Sequence, residues 1–371
     1  MNKMKIAIVD PVGKIAGMHH YDLGLASGLA NNNFDARIYS TFKDSYQSII
    51  PYKFFKSKKS FLIWDMIVYF FMGLFTFVHL KIFKIDYVVL HVFSYTSKDF
   101  YPFLLAKIFG SKIISIAHDL EGFEEKDNSY IKNKIYTWSN KIAIHNLYSI
   151  KEFNRIFDFK FENKVFQIPH GNYVPFISKR KSLVTFDFLD NLDKSNKYIL
   201  FFGQIKPTKG LKVLLNSLTS IDSSIHLIIA GRSRYDDFDQ YSNIIKNANI
   251  NDRVHILIRY ISDNEREILF NFSDAIILPY TKIYQSGVLI LAMSYGIPVI
   301  ASDLLANQEV IEDGKNGILF KSQDSFDLAN KVNSLFTDEN IIEHISHDSL
   351  KYVLKKHSWD QVGSAFKSNL Y

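Results

Sequence analysis

Short, nearly continuous apolar runs alternate with stretches of helical spacing through most of the chain. Ile6-Ala7-Ile8-Val9-Asp10 stops at Pro11 and Gly13, and Tyr21 to Leu29 then carries apolar residues at helical intervals, which predicts strand, loop, helix. The alternation recurs at Ala36–Tyr39, Tyr87–Val92, Lys112–Ala117 and Lys141–Ile144, and a second series runs through Tyr198–Gly203, His226–Gly231, Val254–Leu257, Ala275–Pro279 and Pro298–Ser302. Strands apolar on both faces, each followed by a helix, predict α/β parallel sheets covered on both sides. The expected organisation is two doubly wound domains, residues 1–178 and 197–350, joined by a polar linker over 179–196. A final helix over 351–371 is expected to pack back toward the first domain. Ligands of such open sheets lie beyond the carboxyl ends of the strands, which places the expected site in a cleft between the domains.

Residues 60–80 break the pattern. They are almost all apolar or aromatic, are flanked by Lys56, Lys58, Lys59, Lys81 and Lys84, and are long enough to cross a bilayer. Asp65, and the position between two strands of one sheet, argue against crossing. The expectation is a helix with one face against a membrane, and the alternative is a buried helix of the first domain. Residues 1–180 carry 24 Lys and Arg against 15 Asp and Glu, whereas residues 181–371 carry 20 against 23. A basic first half suits an anionic surface. No cysteine is present, which excludes a disulfide framework, a thiolate metal site and a cysteine nucleophile. The apolar run ending at Asp10 is too short for a signal-peptide core, so the expected location is cytoplasmic, on the inner face of the cell membrane. The charge is split between halves and no nucleic-acid-binding motif accompanies it, so nucleic acid is not an expected partner.

The segment richest in chemistry is Phe202-Gly203-Gln204-Ile205-Lys206-Pro207-Thr208-Lys209-Gly210-Leu211. It directly follows the first strand of the second series, where a diphosphate meets backbone N–H groups and a helix start. Lys206 and Lys209 put ammonium groups where they neutralise a diphosphate leaving group. The segment resembles the glycine, basic residue, spacer, lysine, glycine motif of GT-B glycosyltransferases, especially the large family 4, the glycosyl transferases group 1. The resemblance covers roughly residues 198–345 and includes Ala230-Gly231-Arg232, Ser273 to Tyr280, Ala292 to Ser302 and Glu309 to Phe320. It implies a GT-B architecture of two Rossmann-like domains facing each other across a cleft. It also implies a nucleotide-diphosphate sugar, GDP- or UDP-linked, as co-substrate, with no further cofactor.

Two departures matter. The arginine that follows the family's leading glycine is Gln204 here, which leaves Lys209 as the main phosphate ligand and Lys206 as its helper. The family's two glutamates, eight positions apart, correspond to Ile283 and Leu291, which can neither bind a ribose hydroxyl nor stabilise positive charge. In their place, Ser286 and Gly287 precede a predicted helix, and a hydroxyl with N–H groups at a helix N-terminus suits a phosphate oxygen, although Ser286 serves equally as a plain N-cap. This variant resembles a divergent subgroup similar to bacterial polysaccharide β-mannosyltransferases. The implied donor-binding set is Gly17, Gly203, Lys206, Lys209, Tyr284, Ser286, Gly287, Val288 and Glu309.

In the first domain, His118 and Asp119 follow a buried strand, and the resemblance puts a histidine there beside the donor sugar. His118 is expected to touch sugar hydroxyls, and Asp119 to deprotonate the acceptor hydroxyl, with Glu121 as the competing base. Lys209 completes the catalytic set. Gly13, Gly17 and His20 lie in the loop after the first strand, where glycine lets backbone approach an anion. Asn146, Ser149 and His170-Gly171-Asn172 resemble cleft-lining segments, with turn and capping roles equally open. His19 and His20, being adjacent, are expected to diverge, and no Asp-x-Asp element precedes a helix in the first domain, so no metal is indicated.

The resemblance implies a metal-independent hexosyltransferase acting on a polyprenyl-diphosphate-linked saccharide at an anionic membrane surface, in O-antigen, capsule or exopolysaccharide biosynthesis. Its stereochemical outcome stays open. The alternatives are a nucleotide-sugar 2-epimerase of the same fold and a non-catalytic membrane-bound partner subunit.

Overall fold

The computed structural model describes residues 3–14, 17–53, 62–121, 128–177, 186–233 and 238–371. The chain divides into two compact units, Met1–Gly171 with Lys356–Tyr371, and Asn172–Lys355.

The first unit holds strands β1 (Lys5–Asp10), β2 (Asp35–Ser40), β3 (Tyr52–Lys53), β4 (Tyr87–Val92), β5 (Lys112–Ala117), β6 (Lys141–Ile144) and β7 (Val165–Gln167). They form a parallel sheet in the order β3-β2-β1-β4-β5-β6-β7. Its helices before the interdomain passage are α1 (Met18–Asn31), α2 (Leu62–Ile82), α3 (Ser97–Ile108), α4 (Ser129–Trp138) and α5 (Leu147–Ile156). Ile6, Ala7 and Ile8 are fully buried, as are Ile113, Ile114 and Ile116, because helices cover both faces of the sheet. Register fixes what meets at the carboxyl edge: Asp10 pairs with Ser40 on one side, and Val9 with Leu90 on the other.

The second unit holds α6 (Asp187–Asp190), α7 (Leu211–Ser217), α8 (Asp239–Asn247), α9 (Asp263–Phe272), α10 (Gly287–Tyr295), α11 (Leu305–Gln308), α12 (Ser325–Leu335) and α13 (Glu339–Lys356). Its strands are β8 (Lys197–Phe202), β9 (Ile225–Gly231), β10 (Val254–Ile258), β11 (Ala275–Leu278), β12 (Val299–Ser302) and β13 (Ile318–Phe320). They form a parallel sheet in the order β10-β9-β8-β11-β12-β13. Both units are doubly wound.

The structure places several boundaries differently from the sequence pattern. The first unit ends at Gly171 rather than at 178. Within the expected linker, residues 179–185 lie outside the described residues, and the remainder is structured: α6 buries Leu189 in the core of the second unit. The expected helix over 351–371 is two helices. The first, α13, runs to Lys356, and Ser358 then caps α14 (Trp359–Leu370), its Oγ accepting from Gln361 N at 3.3 Å. That interruption carries the last segment into the first unit. There α14 packs on α1 along a seam of glycines: a Cβ on Gly363 would lie 2.0 Å from Gly28 O, and a Cβ on Gly24 would lie 2.0 Å from Trp359 Cε2.

The apolar segment forms α2, which connects β3 to β4 of one sheet and so acts as its crossover. One face docks on α3, where Phe77 and Leu80 are buried, Gly73 sits against Tyr101, and Tyr101 Oη donates to Phe70 O at 2.6 Å. The other face is bare. Trp64 is 63% exposed, Met66 67%, Phe70 50%, Phe71 51% and Phe75 60%, which rules out a buried core helix.

Candidate functional site

In the second unit, backbone geometry brings two strand ends, a turn and a helix end to one corner. Gly203 follows β8 with φ +112, and a Cβ on Gly231 would lie 1.7 Å from Gly203 O, so the ends of β8 and β9 meet through two glycines. The next turn, Pro207–Lys209, closes on Gly210, whose φ is +68 and whose added Cβ would lie 1.8 Å from Pro279 O. Thr281 N donates to Thr208 O at 3.0 Å, which ties this turn to the segment after β11. The docking puts Lys209 Nζ 3.7 Å above the ring of Tyr280, a buried residue. Burial raises the Tyr280 phenol to about 12 while its contact with Ser286 opposes the rise, so it stands neutral beside the ammonium.

Ser286 caps α10, its Oγ accepting from Leu289 N at 3.1 Å. The hydroxyl is thus engaged by the helix, and what the helix end offers an anion is the first-turn N–H groups of Gly287 and Val288 with the helix dipole. Val288 Cγ2 lies 3.6 Å from where a Cβ on Gly203 would stand, so the strand end and the helix end share one corner. Gly203, Lys209, Ser286, Gly287 and Val288 therefore converge. Lys206 begins the same turn, and Tyr284 is buried with Lys282 Nζ 5.8 Å from its ring. Glu309 is exposed at the end of α11, its carbonyl accepting from Tyr352 Oη at 3.4 Å. Leu291 lies within the second unit's core and the partly buried Ile283 packs against it.

In the first unit, the carboxyl edge of the sheet carries a row of histidines that sequence reasoning missed as a set. His91 ends β4, His118 follows β5, His145 follows β6 and His170 lies just past β7. His91 Nδ1 is 2.9 Å from His118 Nε2, and His118 Nδ1 is 3.3 Å from His145 Nε2. The ring of Tyr21, from α1, stands edge-on to all four, 5.1 to 5.9 Å away. Burial lowers the pKa of each histidine, and the row is neutral. The signal was available: in a parallel sheet, residues at neighbouring strand ends stand side by side. Both His118 nitrogens are engaged and Phe93 stacks on the ring at 4.6 Å, so a sugar hydroxyl reaches a His118 nitrogen only by displacing His91 or His145.

The row ends on carboxylates. His91 Nε2 is 2.9 Å from Asp22 Oδ1, and the Asp22 carboxyl is coupled to that of Asp10. Asp10 in turn accepts from Val12 N and Gly13 N, each at 2.8 Å. Asp119 Oδ1 instead accepts from Glu121 N at 3.4 Å, in a local turn. Gly17 starts α1 with φ +76 and open space where a Cβ would be, Asn146 caps α5 by accepting from Ser149 N at 2.7 Å, and His170 Nδ1 donates to Gly171 O at 2.9 Å. The rings of His19 and His20 do not diverge; their centroids are 3.8 Å apart.

The whole chain superposes on HepE of Anabaena, solved with UDP and glucose, with a TM-score of 0.73 at 18% identity, covering 99% of each chain. The fold is GT-B. Residues 186–352 of this GT-B chain match the family Glycosyl transferases group 1. The chain is 29% identical over 133 residues to the GDP-mannose:glycolipid 4-beta-D-mannosyltransferase of Xanthomonas campestris, covering 35% of this chain and 37% of that protein. It is 25% identical over 201 residues to the capsular polysaccharide biosynthesis glycosyltransferase CapM of Staphylococcus aureus, covering 49% of this chain and 51% of CapM. The chain thus spans about half or less of the length of these curated relatives. The corner formed by Gly203, Lys209 and the start of α10 falls inside the matched segment.

Proposed function

We propose that the protein is a glycosyltransferase that moves a hexosyl unit from a nucleotide-diphosphate sugar to a hydroxyl of a lipid-linked saccharide, in the assembly of a bacterial surface polysaccharide. The observation that carries this is the convergence of Lys209, Gly203 and the α10 N-terminus on one corner of the Glycosyl transferases group 1 segment. There the diphosphate would lie on helix-end N–H groups, with Lys209 stabilising the negative charge that grows as the glycosidic bond breaks. The donor chemistry agrees with the relatives, one of which is named for GDP-mannose and one of which was solved with UDP and glucose. The same basic groups do the work that a divalent ion performs elsewhere, so transfer is expected to persist in EDTA.

The lipid-linked acceptor is inferred from α2. Its bare face of Trp64, Met66, Phe70, Phe71 and Phe75, bordered by Lys81 and Lys84 in a basic half of the chain, suits an anionic lipid surface on which the helix lies. A 2-epimerase with a soluble substrate has no use for that face. Replacing Met66, Phe71 and Phe75 together by Gln is expected to abolish co-sedimentation with phosphatidylglycerol vesicles while leaving the circular dichroism spectrum unchanged. Binding that survives the triple change counts against the membrane role.

The transferase reading is tested by incubating the protein with bacterial membranes and radiolabelled UDP- and GDP-hexoses. Label from one donor is expected in the lipid fraction. A folded protein that labels lipid with no donor supports the non-catalytic partner instead.

A further inference from the structure

A cavity in the first unit opens where β1 and β4 end, bounded by α3 and by Tyr69 of α2. Asp10, His91, Phe93, Lys98 and Asp99 line it, whereas Asp119 and Glu121 are not among its lining residues. We propose that this cavity receives the acceptor hydroxyl and that the Asp10–Asp22 carboxyl pair, not Asp119, takes its proton. The proposal rests on the transferase reading above.

Three observations carry it. First, the pair is built to hold a proton. Asp22 is fully buried, its Oδ1 accepts from His91 Nε2 at 2.9 Å, and its Oδ2 meets no N–H or O–H donor among the described residues. A proton held between Asp22 and Asp10 supplies the missing donor, because two buried carboxylates in contact cannot both ionise. Burial, reinforced by Asp22, holds Asp10 well above the usual carboxylate range, and burial lifts Asp22 to about 7, which suits a base working near neutral pH.

Second, the row behind the pair is oriented. With Asp22 accepting from His91 Nε2–H, His91 Nδ1 is left to accept from His118 Nε2–H at 2.9 Å, so a single tautomer satisfies both links. His91 and His118 are thus positioning residues for Asp22. Third, the cavity lies beside the expected lipid. Tyr69, on its wall, belongs to α2, so a saccharide whose lipid lies along the bare face of that helix presents its hydroxyls at Asp10, with Lys98 at the same mouth for a lipid phosphate.

In the step itself the acceptor oxygen bonds to the anomeric carbon, and the bond from that carbon to the diphosphate breaks, its electron pair leaving on the nucleoside diphosphate. The hydroxyl proton arrives at Asp10 as the proton already there passes to Asp22. The pair holds one proton before transfer and two after, until solvent removes one.

The charged and titratable groups facing Asp10 are Asp22 of α1 and His91 of β4, with Tyr69 of α2 and Lys98 and Asp99 of α3 across the cavity. The test uses the full chain, its preferred donor and the membrane acceptor identified above. Asp10→Asn is expected to lower kcat about 10²-fold or more, with KM for the acceptor and the melting temperature little changed. Asp22→Asn removes the charge and the hydrogen bond that hold Asp10 up, so the acid limb of the kcat/KM profile is expected to move to lower pH. The inference is overturned by near-normal kcat in a folded Asp10→Asn, or by an unmoved limb in Asp22→Asn should Asp10→Asn fail to fold. Loss of transfer in Asp119→Asn with Asp10→Asn active would also overturn it and would leave the transferase reading standing. Absence of transfer by the unaltered protein would instead bring down that reading itself.

Discussion

Replacing Lys209 by alanine is expected to cut turnover about 10²–10³-fold, the loss typical when one fixed group that meets developing negative charge is removed. The structure gives a reason for a large effect at this lysine. Gly210, lodged against Pro279 O, and the Thr281–Thr208 hydrogen bond fix the turn, and the buried Tyr280 ring 3.7 Å beneath the ammonium holds it in place. A cation placed in advance loses little on binding, and its attraction is greatest once the diphosphate carries its full leaving-group charge. Affinity for the free nucleotide should therefore fall less than kcat. The lost ring contact is worth about 0.5–1 kcal/mol at an exposed site, so melting is expected to shift by only about 1–4 °C. Steady-state kinetics beside calorimetric titration of UDP and GDP check both halves, and near-normal turnover in Lys209→Ala would remove the residue from the mechanism.

How far the sequence could reach is clearest at this corner. The run from Phe202 to Leu211 announces its loop because glycine and proline restrict the backbone locally, and local restriction is legible in a single chain. Tyr280 does not announce itself. Its role depends on Gly210 meeting Pro279, a contact between residues 69 positions apart that follow two neighbouring strands, and only the folded sheet brings them together. Ser286 was legible in part: its place before a helix was evident, but its hydroxyl is engaged by the helix backbone, accepting from Leu289 N. The first unit shows the same division. Its long central strands follow from their apolar runs, whereas β3 and β7, of two and three residues, are edge strands too short for a periodicity to register, as is β13 at the edge of the second unit's sheet.

The histidine row marks the other boundary of such inference. Each of His91, His118, His145 and His170 alone is an unremarkable residue at a strand end, and only the family resemblance distinguishes His118 from the others. Parallel register makes them a set, and the set ends on Asp22 of α1, which no strand pattern contains. A burial rule would have rejected Asp10 and Asp22 as site residues. Their contact reverses that inference, since a buried carboxyl pair is stable only when it holds a proton, and a group that must hold a proton near neutral pH is suited to moving one.

Truncating Trp359 to alanine is expected to destabilise the first unit by about 3–5 kcal/mol, the range for removing a large buried aromatic. Trp359 is only 7% exposed, and its ring fills the space that glycine leaves at two positions: added Cβ atoms would lie 2.0 Å from it at Gly24 and 2.4 Å at Gly171, while Gly28 makes room for its backbone carbonyl, 2.0 Å from an added Cβ. It also stands edge-on to Tyr21 at 5.2 Å, so it buttresses the ring against which the four histidines pack. The lost volume cannot be refilled by a local shift, because α14 already touches α1 backbone to backbone, where a Cβ on Gly363 would lie 2.0 Å from Gly28 O. Urea unfolding should therefore show a lowered midpoint for a transition belonging to the first unit. Nucleotide binding offers the internal control: the corner of Gly203, Lys209 and α10 lies wholly in the second unit, so affinity for UDP or GDP is expected to stay within about twofold while transfer falls with the first unit's stability. A midpoint that does not move would mean that α14 contributes nothing to that unit, contrary to the glycine seam that receives it. A parallel loss of nucleotide affinity would place Trp359 in the support of both units.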